Sequence, residues 1–198
     1  MSEQTRRTWR EPAAETVRRF ARSAVQAARL LAGGRLRLPG AWLGRRLTFA
    51  DGTTSVVFRE TAMVGVPVAD PAVLVVQFRL RLIGTNRLAH ALFWRECLLH
   101  TLLFAGFPGF RTKLWLSDLQ TGVYRGVYEW DGGDRAVAYA ETLARLLRLV
   151  SERGSVRYHV VPGLRRDDLP AGMAAGSNGR EWWRLVAMPP ERTMTRSA

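Results

Sequence analysis

Ala72-Val-Leu-Val-Val-Gln-Phe-Arg-Leu-Arg-Leu82 opens as a β-branched run and turns into alternating apolar and polar residues, the period of a half-buried strand. The period then changes. From Asn86, a candidate N-cap, apolar residues Leu88, Leu92, Phe93, Leu99, Leu102 and Leu103 recur near helical spacing until Gly106 and Pro108 close the run. Phe110–Leu116 reads as a second strand, Ser117–Gly122 supplies turn residues, and Val123–Trp130 returns as a third, which makes the pair a hairpin. Asp131-Gly-Gly-Asp134 breaks that strand and offers Asp134 as a cap. Ala136, Ala140, Leu143, Leu146, Leu147 and Val150 then form a helical stripe that ends at Gly154. Ser155–Val161 is the fourth strand, stopped by Pro162-Gly163.

Strand, helix, strand, strand, helix, strand is the βαββαβ order of a ferredoxin-like α+β domain with a four-stranded antiparallel sheet. That scaffold hosts many unrelated activities, so the order predicts a fold and leaves the function to the side chains. Alternation assigns the faces. Phe78, Leu80 and Leu82, then Leu114 and Leu116, then Tyr124, Gly126, Tyr128 and Trp130, then Val156, Tyr158 and Val160 are predicted to lie beneath the helices. The opposite face is expected to carry Gln77, Arg79, Arg81, Arg111, Lys113, Trp115, Arg125, Glu129, Arg157 and His159, a cationic surface short of acids.

Residues 71–163 form this domain, with 1–70 and 164–198 as extensions. Pro12 sits at a helix start, and Val17, Phe20, Ala21, Ala24, Ala28 and Leu31 form one stripe with Arg18, Arg19, Arg22 and Arg29 off it. This is an Arg-rich amphipathic helix ending at Gly33-Gly34. Such a helix can lie on an anionic bilayer, or its alanine-rich stripe can pack on the domain or on a partner. Leu47–Phe58 reads as a hairpin around Asp51-Gly52 that can extend a sheet edge. In the tail, Glu181–Ala187 is a short apolar run suited to one more docked strand.

The chain has 198 residues, 47% of them hydrophobic, enough for one domain with its own core. The net charge of +13 raises a nucleic-acid reading. Against it, only Lys113 among the thirty basic residues is lysine, a bias that GC-rich coding produces regardless of function, and no helix-turn-helix spacing, zinc-ligand set or aromatic RNA-binding strand is present. Nucleic acid is therefore a disfavoured partner. The single cysteine, Cys97, excludes an internal disulfide and fits a reducing compartment. No run of apolar residues is long enough to span a bilayer, and the N-terminus lacks a signal-peptide pattern, so a cytoplasmic protein is expected.

No nucleophile elbow, catalytic triad, phosphate loop, dinucleotide fingerprint or cysteine cluster is visible. His90 and His100 lie on the first crossover helix without a second ligand at metal spacing, and no metal site is expected. Phe107-Pro-Gly-Phe-Arg-Thr-Lys-Leu-Trp115, leading into Gly126-Val-Tyr128, resembles the dimeric α/β-barrel superfamily, and within it the YdhR-type monooxygenases. The resemblance covers the middle half of the chain. It implies a homodimer in which two sheets pack face to face around a small-molecule ligand, and oxygenation of an anionic or aromatic substrate without a cofactor. On that reading His159 is the base, Arg79, Arg125 and Arg157 hold the anion, and Trp115 and Tyr128 form the walls. For haem, no spacing selects an axial ligand. Two alternatives stay open: the arginines simply pair with acids, or the chain is a non-catalytic binding or interaction module whose basic N-terminal helix contacts a membrane surface or a protein.

Overall fold

The structure, a computed structural model, describes residues 13–81, 104–170 and 181–188. Its elements follow in the order α1 (Ala13–Ala32), β1 (Leu36–Arg37), β2 (Arg46–Phe49), β3 (Thr54–Met63), β4 (Pro71–Arg79), β5 (Phe110–Asp118), β6 (Val123–Asp131), α2 (Gly133–Val150), β7 (Arg157–Pro162) and β8 (Leu185–Ala187). The first crossover helix expected from Asn86, with His90, Cys97 and His100, lies outside the described residues.

The strands β7-β4-β6-β5 lie side by side, each antiparallel to its neighbour. Chain order four, one, three, two is the ferredoxin-like arrangement that the sequence predicts. The sheet does not stop at four strands. At the β5 edge it continues through β3 and β2 to β8, with β1 pairing β3, so that eight strands form one sheet. The hairpin around Asp51-Gly52 and the short apolar run in the tail both become sheet strands. Gly52 takes a φ of 81°, which suits it to this turn.

One face assignment needs correction. Tyr128 and Trp130 do lie with Leu74 and Val76 against α2, in a core with Ala136, Tyr139 and Ala140. On β5, however, Leu114 and Leu116 face the other way, and Lys113 and Trp115 pair with Tyr128 and Gly126 on the helix side. The cause is a register irregularity between Phe110 and Thr112. An extra residue there reverses the parity downstream, so Phe110 is followed onto the helix side by odd-numbered residues.

The second face is not a cationic surface. Val73, Val75, Leu114, Leu116 and Val127 are all at most 1% exposed, packed with Trp42, Leu47, Phe49, Val57, Leu169 and Leu185. Fully burying each such side chain stabilises the fold by roughly 1.5–3 kcal/mol. The chain's own hairpin and tail therefore fill the face that the resemblance assigns to a second subunit. Arg166 fastens this covering, bonding Glu60 Oε1 at 2.8 Å while the Trp42 amide donates to Oε2 at 3.3 Å.

The ends of α2 also differ from expectation. Gly132, not Asp134, is the N-cap, and no side chain caps it; Asp134 instead lies in the first turn, where a carboxylate suits the helix dipole. At the other end Arg81 donates from Nε to the Ser151 carbonyl at 2.8 Å and from Nη2 to those of Arg148 and Leu149 at 3.2 and 3.1 Å. A residue expected on the open sheet is thus a helix cap.

Candidate functional site

The sheet separates the residues that the sequence groups together. Trp115 and Tyr128 are on the helix side, whereas Arg125, Arg157 and His159 are on the filled side, and Arg79 is exposed at the end of β4.

On the filled side, Arg125 is 2% exposed. Its Nε donates to Gln77 Oε1 at 3.0 Å, its terminal nitrogens reach Thr53 Oγ1 and Asp51 Oδ2, and its guanidinium lies 4.0 Å from the centroid of Phe49. Burial lowers its pKa to about 10, opposed by the Asp51 charge, which leaves it cationic at neutral pH. Asp51 also accepts from Arg157 at 2.8 Å and from the Thr53 hydroxyl at 2.7 Å. Burial pushes the Asp51 carboxyl up, but the Thr53 hydroxyl and Arg125 outweigh it and hold the carboxyl below 3.8. Asp51 reads in sequence only as a turn residue; its role as the counter-ion of Arg125 needs the tertiary fold.

His159 is expected to be the base. It is instead stacked on Trp183, ring centroids 4.4 Å apart and planes 8° apart, while Arg157 lies 4.4 Å over Trp182. These contacts tie the β7 edge to the segment that carries β8, and they leave His159 on the far side of the sheet from the α2 core. Burial pushes its pKa below 6.5, and Glu181 opposes the shift. The unfolded chain then takes up a proton before the folded one. The stabilisation is complete above about pH 6.5 and declines as pH falls through the folded value. Thermal melts between pH 7.5 and 5 should show decreasing stability, and His159→Phe, which keeps a ring for stacking, should flatten that slope; an identical slope in the variant would show that another group governs it.

On the helix side, Lys113 is 5% exposed and enclosed by aromatic rings. Its ammonium lies 3.1 Å from the centroid of Trp115, 4.3 Å from Phe104 and 4.7 Å from Tyr128. Trp115 donates its indole hydrogen to Thr61 Oγ1 at 3.2 Å. The Gly-x-Tyr pattern has a steric basis here, since a Cβ on Gly126 would lie 3.0 Å from Tyr128 Cζ and Oη. Only glycine lets that ring lie back along the strand. Tyr128 is hydrogen-bonded to Tyr139 of α2, whose fully buried phenol has its pKa raised well above 10.0 by burial and by Tyr128. Tyr139 remains a neutral hydrogen-bonding group throughout the physiological range.

Tyr139 also lines a cavity of about 510 Å³. Arg22, Ser23 and Gln26 of α1 form one wall, Gly106, Phe107 and Pro108 a second, and Arg135, Ala138 and Tyr139 of α2 a third. The lining is largely apolar, and Phe107 meets Tyr139 edge to face with centroids 5.2 Å apart. The two cations are at the solvent side: Arg22 is exposed and the Arg135 side chain is 57% exposed. A second cavity, about 590 Å³, lies between the Asp51 and Asp118 turns. Its acids are already engaged, Asp118 by Gln120 and Thr121 and Asp51 by the arginines, so it offers a ligand less charge.

No family model matches the chain, and no curated protein matches it. Solved structures do. It is similar to an uncharacterised ferredoxin-fold protein related to antibiotic biosynthesis monooxygenases from Listeria monocytogenes 4b F2365, at 12% identity over 70% of this chain and 88% of that one, with a TM-score of 0.40. It is also similar to LmHde, a heme-degrading enzyme from Listeria monocytogenes, at 12% identity over 67% and 90%, with a TM-score of 0.41. A monooxygenase-like protein from Listeria innocua matches at 13% identity over 58% and 66%, with a TM-score of 0.37. These neighbours are ferredoxin-fold, monooxygenase-like proteins at low identity, the group that the sequence pattern resembles. The likeness adds no residue and no reaction to those argued from the geometry above.

Proposed function

We propose that this chain binds a small aromatic anion in the cavity between α1, Gly106–Pro108 and α2, and that cofactor-independent oxygenation is the reaction to seek there. The observation that supports it is the distribution of polarity. Apolar walls accept a ring, and exposed Arg22 at the mouth, beside Arg135 on its Asp131 partner, attracts its charge. His159 cannot serve as the base for this cavity because it lies across the sheet, and among the described lining residues there is no carboxylate or imidazole. The ligand best suited is therefore one already ionised at neutral pH. With an electron-rich substrate, a methylene beside an ionised ring takes up oxygen as a hydroperoxide and loses water, so that CH2 and O2 give C=O and H2O.

Binding is testable with 1-hydroxy-2-naphthoate and its neutral analogue 2-naphthalenemethanol, followed by quenching of tryptophan fluorescence. The anion should bind the more tightly, and Arg22→Gln with Arg135→Gln should weaken it about tenfold, since solvent-facing pairs contribute roughly 0.2–1 kcal/mol each. Oxygen uptake with an anthrone, assayed at a pH where the anthrone is ionised, should fall in step. Equal affinity for the two probes, unaffected by either substitution, would remove the proposal.

A further inference from the structure

Arg18, Arg22 and Arg29 stand at positions i, i+4 and i+11 of α1, with Val25 between them at i+7, and so share one face of the helix. All three are exposed, and none has an ion pair among the described residues. Several arginines elsewhere are paired. Arg111, Arg125, Arg157, Arg166 and Arg184 each sit on a carboxylate. Beyond Glu15 the helix carries no acid.

Part of the apolar surface of α1 is also left uncovered. The sequence pattern places Ala21, Ala28 and Leu31 on a stripe that can pack on the domain, yet α1 docks through Ser23 and Ala27, and all three stripe residues remain exposed. Leu31 is 44% and Val25 55% exposed. The arc that carries Arg18, Arg22 and Arg29 thus also exposes Val25.

We propose that this arc docks on an anionic lipid bilayer, with guanidinium groups on headgroup phosphates and Val25 at the boundary with the acyl chains. Charge complementarity selects the occupant, because a row of cations without acids fits a continuous anionic surface and Val25 gains by partial burial. Arg22 belongs both to this row and to the cavity wall, so docking sets the cavity mouth at headgroup level. The docking does not depend on what the cavity holds.

The full chain should co-sediment with phosphatidylcholine vesicles containing phosphatidylglycerol, weakly with phosphatidylcholine alone, and less at high salt. The triple variant R18Q/R22Q/R29Q should lose on the order of 100-fold in partitioning. R37Q/R46Q/R153Q, which removes the same charge from exposed positions elsewhere, should retain it. Val25→Ser should weaken binding while keeping the salt dependence. Circular dichroism reports that the variants fold. Equal losses in the two triple variants would reduce the effect to net charge and overturn the proposal, as would equal binding to both vesicles or stronger retention on immobilised polyglutamate than on anionic vesicles.

Discussion

Asp51→Ala should destabilise the fold by about 3–5 kcal/mol, the usual result when one partner of a buried ion pair is removed. The Arg125 side chain is 0% exposed, and it keeps its charge even though burial lowers its pKa. Without Asp51 that charge would retain Gln77, Thr53 and the face of Phe49, none of which carries an opposite charge. Arg157 would lose its carboxylate as well. Urea denaturation of the single variants and of Asp51→Ala with Arg125→Met gives the measurement. The double variant should be more stable than Asp51→Ala alone, because it no longer buries an uncompensated cation. A loss under about 1 kcal/mol on Asp51→Ala would mean that water reaches Arg125 and that the cluster is not a buried pair.

Gly106→Val should separate α1 from the body of the protein and abolish the cavity. A Cβ at Gly106 would lie 2.7 Å from Ser23 C and Cα and closer still to the Ser23 carbonyl oxygen. These are backbone atoms, so no rotamer change relieves the clash, and the helix itself must move. Overpacking of this kind costs about 1–3 kcal/mol. The functional consequence is larger than the stability change, because Arg22, Ser23 and Gln26 supply one whole wall of the cavity. Aromatic-anion binding should disappear while the melt of the sheet shifts only modestly. Retained affinity in Gly106→Val would place the ligand elsewhere.

How far the sequence carries the structure can be argued from single residues. The period-2 runs, the turn signals and the helical stripe of α2 are local, and they are enough to establish the strand order. Asp51-Gly52 similarly declares its hairpin. The parity of β5 is not declared, because the irregularity near Arg111 has no glycine or proline at its extra position to mark it, and both faces of that strand are apolar enough to be core. Without the reversal, Lys113 is read as surface and the ring enclosure around it is invisible. The arginine face fails for a second reason. Alternation shows which residues share a side, but not whether a later segment of the chain covers it, and here Trp182 and Trp183 lie over Arg157 and His159. Tyr139 is legible as a member of a helix and nothing more; its place beside a cavity depends on α1 and the Gly106 approach.

The filled second face has an evolutionary consequence. In a barrel built from two identical halves every substitution occurs twice about the symmetry axis, so a change that improves one side is imposed on its mirror image. Here the layer opposite β4–β7 comes from other positions of the same polypeptide. Each side of the sheet is free to specialise alone, and the walls of the α1–α2 cavity come together whenever one molecule folds, however dilute it is.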